Sequence, residues 1–130
     1  MAANLLVPSD FPTIQSAIDV AVNGDRVLVA QGVYDERIDF LGKSIEVLGE
    51  QGPEVTILNG GGSTGYVVSM VGCNPDQTVL GGFSVTGGMG SNVVGPGGGI
   101  TVSAGGATLI DCVIRENMGF LGGGIHIAHS

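Results

Sequence analysis

Apolar and polar residues alternate along this chain in short bursts. Four bursts share one pattern: Ser44-Ile45-Glu46-Val47-Leu48-Gly49, Val67-Val68-Ser69-Met70-Val71-Gly72, Gly99-Ile100-Thr101-Val102-Ser103-Ala104 and Gly124-Ile125-His126-Ile127-Ala128-His129. Aligned on it, Ile45, Val68, Ile100 and Ile125 share one position, at steps of 23, 32 and 25 residues. A second set lies between them: Val55-Thr56-Ile57, Phe83-Ser84-Val85 and Cys112-Val113-Ile114, at steps of 28 and 29. A side-chain period of two is that of a half-buried strand. Repeats of this length, built from strands and glycine turns, predict a stack of rungs, because one rung cannot bury its own apolar face. The alignment predicts one inward column of Ile45, Val68, Ile100 and Ile125, and another of Ile57, Val85 and Ile114.

The chain opens differently. Ile14, Ala17, Ile18 and Ala21 follow the i, i+3, i+4, i+7 spacing of an amphipathic helix, predicted over about 12–22. Pro12 suits a first helical position, Asp10 or Thr13 a cap, and Asn23-Gly24 a stop. Arg26-Val27-Leu28-Val29 then reads as a strand, and Ile38-Asp39-Phe40 alternates again before Gly42. One domain of 130 residues follows, with a cap over 1–24 and rungs over 25–130. The helix is expected to cover the apolar end of the first rung. Later rungs lengthen in their turns, at 60–65 and at 87–99.

Several segments resemble a known superfamily. Asp10-Phe11-Pro12-Thr13-Ile14-Gln15-Ser16-Ala17-Ile18, followed by Gly24-Asp25-Arg26-Val27-Leu28-Val29-Ala30-Gln31-Gly32-Val33-Tyr34, is similar to the opening of right-handed parallel β-helix proteins of the pectin-lyase-like superfamily. Gly82-Phe83-Ser84-Val85-Thr86-Gly87-Gly88 and Gly122-Gly123-Gly124-Ile125 resemble its bacterial members. The resemblance covers nearly the whole chain. It implies an all-β, right-handed parallel solenoid of about four to five rungs with an N-terminal capping helix. It also implies a secreted or cell-surface parent protein, and polysaccharide as one class of partner.

Charge and composition narrow the partners. Asp and Glu number 12 against 4 Lys and Arg, a net charge of −8. Phosphate binding needs clustered Lys and Arg, so nucleic acid and anionic membrane surfaces are unsuited. The uncharged run 77–110 contains eleven glycines and strand-like alternation, which argues against a spanning helix. Met1-Ala2-Ala3-Asn4 has neither the basic region nor the apolar core of a signal peptide; the chain is then cytoplasmic, or its leader has been removed. Cys112 reads as a small inward hydrophobe beside Phe83 and Val55, and Cys73 as a turn residue, so no disulfide is expected.

Candidate chemistry is sparse. Gly60, Gly62 and Gly65 match G-x-G-x-x-G, but a strand-like Tyr66-Val67-Val68 follows where a dinucleotide site needs a helix. Gly87-Gly88-Met89-Gly90-Ser91-Asn92-Val93 resembles one calcium-roll nonapeptide with Asn for the key Asp and no tandem copy. His126 and His129 fall short of a metal set. Asp35, Glu36, Arg37 and Asp39 read as a solvated rim near the cap. Asp111 and Arg115 are the candidates for catalysis: with Val113 they alternate onto one outer strand face, where enzymes of the resembled superfamily carry Asp and Arg. The aligned outer positions offer only Ser84, Thr86, Thr56 and Leu58, and paired-carboxylate chemistry needs a second acid. No catalytic set, cofactor or metal site is therefore expected. The favoured function is a non-enzymatic repeat module. Ile100, Val102, Ile125 and Ile127 have only Ala128-His129-Ser130 after them, which predicts a homodimer joined end to end through the last rung. The alternatives are part of a carbohydrate-active protein on acidic polysaccharide, and a glycan-binding or adhesive stalk.

Overall fold

The computed structural model describes residues 3–60, 66–74, 76–86, 99–103, 105–114 and 125–128; at Ser103 and over 125–128 it describes the backbone alone. The chain begins with strand β1 (Asn4–Val7) and helix α1 (Ile14–Val20). Twelve further strands follow among the described residues: β2 (Arg26–Val29), β3 (Gly32–Tyr34), β4 (Ile38–Asp39), β5 (Glu46–Gly49), β6 (Thr56–Asn59), β7 (Val68–Val71), β8 (Val79–Gly81), β9 (Ser84–Thr86), β10 (Ile100–Ser103), β11 (Thr108–Ile110), β12 (Val113–Ile114) and β13 (Ile125–Ala128). The protein is thus mostly strands with one short helix. No helix among the described residues is long and apolar enough to cross a membrane.

The strands form three sheets, ordered β1-β2-β5-β8-β11, β3-β6-β9-β12 and β4-β7-β10-β13. Each pairing is parallel. From β2 onward the chain visits the sheets in a fixed cycle, so each group of three strands lies beside the previous group. Parallel neighbours need long crossovers; between β1 and β2 the crossover holds α1, and from β2 onward it consists of strands in the other two sheets.

The inward columns differ from the alignment in two places. Ile38, not Ile45, shares the column with Val68, Ile100 and Ile125. Ile45 is buried, but it leads into β5 in the first sheet, where its carbonyl accepts the Val79 N–H. The reason lies in the corner after β4. Leu41 and Gly42 take left-handed conformations, and the Asp39 carboxylate accepts the Leu41 N–H at 2.8 Å. The corner carries Ser44 back beside Gly24, whose N–H donates to the Ser44 carbonyl. An alternating strand looks the same in any sheet, so pattern alone misplaced this one.

The second correction is a one-residue slip. Leu58 pairs with Val85, and Val85 with Ile114; Ile57 is paired with Ser84 instead. Thr56 and Leu58 point inward, whereas Val55 is 42% exposed. Here both parities are apolar, so hydropathy favoured the wrong one. Tight turns select the other. A Cβ on Gly49 would collide with the Gly82 carbonyl and approach the Thr56 methyl at 3.0 Å. Gly82 itself has φ +76, and a Cβ there would collide with the Gly49 carbonyl. Stacked corners of these two layers touch through glycine, and the small Thr56 fits under them.

The first sheet went mostly unseen in the sequence. Its strands β1, β8 and β11 are short, and β8 ends in glycine. Their inner residues are nonetheless core: Val27, Val47 and Leu80 are fully buried in one column.

Helix α1 is shorter than predicted, seven residues instead of about eleven. Thr13 is its N-cap. Its hydroxyl accepts the Ser16 N–H at 3.1 Å, and the Ser16 hydroxyl accepts the Thr13 N–H at 3.2 Å. This reciprocal pair places Pro12 before the cap, outside the first helical turn. Ile14, Ala17 and Ile18 are fully buried, and the helix packs on β1, β2 and β4.

Candidate functional site

Several charged side chains around the helix bond backbone groups. Glu36 belongs to the cluster expected to be a solvated rim, but its carboxylate accepts the Ile14 and Gln15 N–H groups, each at 3.0 Å. These first-turn amides have no partner within a helix, and a carboxylate there gains from the helix dipole. At the other end, Lys43 Nζ donates to the Ile18 carbonyl at 2.6 Å and the Asp19 carbonyl at 3.0 Å. The layer beneath the helix thus holds both of its ends. Arg37 donates to the Tyr66 carbonyl at 2.8 Å, tying the corner before β4 to the approach to β7.

Gln15 makes a different kind of bond. Its side-chain oxygen accepts the Asp39 N–H at 2.7 Å, and its amide nitrogen donates to the Asp39 carbonyl at 3.1 Å. Strand β4 is the terminal strand of its sheet. The side-chain amide bonds that edge as another strand's peptide group would.

Asp25 sits in the turn before β2 and is 5% exposed. Its two oxygens accept the Ala3 and Val22 N–H groups, each at 3.0 Å. These hydrogen bonds, from Val22 most and then Ala3, lower its pKa from the ordinary carboxylate value against the opposing effect of burial.

Next to Asp25 lies a groove of about 470 Å³. Its walls come from the turns that enter β2, β5 and β8, and include Asn23, Asp25, Ser44, Glu46, Asp76 and Gln77. Arg26 and Glu46 are register neighbours on β2 and β5, and their side chains pair at 3.6 Å. The Asn23 side chain accepts the Ser44 N–H at 2.9 Å. None of these groove residues was expected from sequence. They become neighbours only when Arg26, Glu46 and Val79 are known to be in register, and β8 was not recognised as a strand.

Asp111 lies exposed in the bend between β11 and β12, with φ +50. Asp tolerates this left-handed conformation better than most residues. Val113 is exposed too, as alternation predicted. Arg115 and Glu116 fall outside the described residues, as do His129 and the glycine-rich segment 87–93; the His126 side chain is also not described. The aligned outer positions differ from expectation. Ser84 is buried, its hydroxyl donating to the Pro53 carbonyl at 2.6 Å, and the outer partner of Thr86 is Asn59, not Thr56 or Leu58. Asp111 therefore faces no serine hydroxyl open to substrate at Ser84.

Both cysteines are free thiols. Cys73 lies in the connection between β7 and β8, where a turn was expected, and is the more buried of the two; Thr56 rather than Val55 occupies the inward position of β6. Burial raises both thiol pKa values, which disfavours the thiolate. The Cys112 thiol lies 3.4 Å from the Leu80 and Ile110 carbonyls. Among the described residues, no three His, Cys, Asp or Glu side chains are grouped so as to hold a metal ion. Comparison with protein-family models, curated proteins and solved structures finds nothing that matches this chain.

Proposed function

We propose that this chain is a non-enzymatic structural module: a right-handed parallel β-helix that associates through its last layer. The observation that carries this reading is the fate of the charged side chains. Glu36, Lys43, Arg37, Asp25 and Asp39 bond backbone groups, and the bonds of Glu36, Lys43 and Asp25 secure the N-terminal end. The cyclic order of three parallel sheets supports the coil, and right-handed crossovers are the strong preference for parallel strands. The resemblance to pectin-lyase-like proteins supports the same hand and a secreted or cell-surface setting.

The two ends are unlike. At one, α1 and Gln15 cover β4. At the other, β11, β12 and β13 each have a single hydrogen-bonded neighbour among the described residues. Edges of that kind accept another strand, either from a longer polypeptide or from a second copy. For the 130-residue chain the two-fold solution is an end-to-end dimer, which buries the same surface twice and then stops. Ile100, Val102, Ile125 and Ile127 lie on the paired strands β10 and β13 and form the expected contact.

Sedimentation across a hundred-fold concentration range tests this. The expected mass rises to twice that of the 13.0 kDa chain, and Ile125→Asp with Ile127→Asp prevents the rise. A wild-type mass that stays at one chain throughout would overturn the dimer. No observation favours action on acidic polysaccharide: the groove beside β2 and β5 carries Asp25, Glu46 and Asp76, which repel a polyanion.

A further inference from the structure

Residues 3–22 take the place of a further layer. In the first sheet β1 lies on β2 as one more parallel strand, in register from Asn4 on Arg26 to Val7 on Val29. The other two sheets end in β3 and β4. Over β4 lies α1. Along a parallel strand, successive residues turn their N–H and C=O groups to opposite neighbours. The Ile38 and Phe40 amides donate to the Val67 and Ser69 carbonyls on the β7 side, so the Asp39 backbone faces the other way. There the Gln15 side chain holds both of its groups, at 2.7 and 3.1 Å. In the second sheet the Gly32 amide donates to the Val55 carbonyl on the β6 side. That turns the Val33 backbone to the outer edge, and the residue is 61% exposed.

Side chains of the layer beneath hold this segment. Asp25 accepts the Ala3 and Val22 amides at its two ends. Glu36 accepts the first-turn amides of α1, and Lys43 donates to the Ile18 and Asp19 carbonyls. The helix buries Ile14, Ala17 and Ile18 but has only seven residues, too few to persist by itself. Gly24, with φ +96, follows the segment and leads into β2.

Beneath the segment lies an acceptor edge for strands. The strands β2, β3 and β4 supply one member to each of the three sheets. At the far end β11, β12 and β13 do the same, each with one hydrogen-bonded neighbour among the described residues. The pairings of both layers to their neighbours are parallel. The last layer of a second copy, laid on β2, β3 and β4, would therefore continue all three sheets in the pairing mode used within the chain. Such a contact joins unlike surfaces and repeats without closing. Building on the reading that the last layer associates, we propose that residues 3–22 are an autoinhibitory plug. With a helix and a side-chain amide they fill the strand-acceptor edge that fits the last layer of a second copy, and so confine association to the far end. Release of the segment, β1 included, uncovers β2, β3 and β4 and makes association head-to-tail.

Sedimentation of Gln15→Ala combined with Lys43→Ala tests this over the concentration range used for the wild type. The two changes weaken the hold on α1 and leave its buried face and Asp25 intact. The expected mass passes two chains and keeps rising, to about two-fold or more above the wild type at the highest concentration. Adding Ile125→Asp and Ile127→Asp removes the donor layer and should abolish the growth. Wild-type protein mixed in at equal amount carries the donor layer but a closed acceptor, so it should end the growing stacks and lower their mean mass. A folded release variant that keeps the wild-type mass would overturn the plug. So would growth that either control leaves unchanged, which would mean adhesion through exposed apolar surface. The dimer reading fails separately: a wild type that stays at one chain ends it, whereas a release variant that then grows from one chain still supports the plug. If circular dichroism shows the double variant unfolded, Gln15→Asn, whose amide sits one methylene further from the edge, decides in its place. Growth past the wild-type mass supports the plug, and its absence overturns it.

Discussion

Asp25 ties the start of the chain to the first full layer. Its carboxylate spans the Ala3 and Val22 amides, which lie on opposite sides of α1 in sequence. Those bonds favour the charged form, so its pKa in the folded protein lies below the ordinary 3.8. The linkage follows in sign. A carboxyl with a depressed folded pKa stabilises the fold fully above its unfolded pKa, and that contribution is lost as pH falls through the folded one. Asp25→Asn removes the titration. The stability gap between wild type and Asp25→Asn, measured by urea unfolding, should therefore be widest and flat above about pH 5 and should narrow below 3.8. A gap independent of pH down to pH 2 would mean that the carboxylate charge contributes nothing.

At the scale of elements, α1 is too short to stand alone. Isolated helices below ~12–15 residues are marginal in water, and this one has seven. Its persistence rests on the buried face and on the clamps at either end. Glu36→Gln keeps the size of the side chain and removes the charge that faces two helix amides, so it should cost about 1 kcal/mol in chemical unfolding. A change within experimental error would show that the clamp is incidental. The helix itself was legible: the spacing of Ile14, Ala17 and Ile18 needs no partner to be recognised. Thr13 as cap was legible as one of two choices, and Ser16 in the reciprocal bond was not foreseen. Strand bursts were visible in all three sheets, including Arg26–Val29 and residues 44–49 of the first, but alternation alone assigned Ile45 to the wrong sheet and Ile57 to the wrong register. The rest of the first sheet was hidden, since β8 and β11 are three residues each and lie among glycines. The Glu36 clamp and the groove were illegible for one shared reason: their partners are 20 or more residues apart, and only the register of the layers brings them together.

On the scale of the whole molecule, each three-strand layer hydrogen-bonds, among the described residues, to the layer before and the layer after, while the buried side chains of these layers form one continuous core. Where layers stack in this way, nearest-neighbour contacts make a large part of stability. Net charge of −8 adds a diffuse repulsion that opposes compaction at low salt. The bonds that hold α1 against the first layer give the stack a direction. An end fastened by Glu36, Gln15 and Lys43 opens late, and an end whose strands β11, β12 and β13 each have one hydrogen-bonded neighbour among the described residues opens early. Unravelling should start at the far end and run toward the helix. In native-state hydrogen exchange at low concentration, the Thr108 and Val113 amides, which bond Thr78 and Phe83, should exchange about ten-fold or more faster than the Glu46 amide bonded to Asp25. Uniform exchange across these three would mean that the layers open together. The same order supplies a built-in timer for degradation. A protease that waits for an open segment would trim this chain from its last layer inward, leaving the helix-bound layers as the final resistant core.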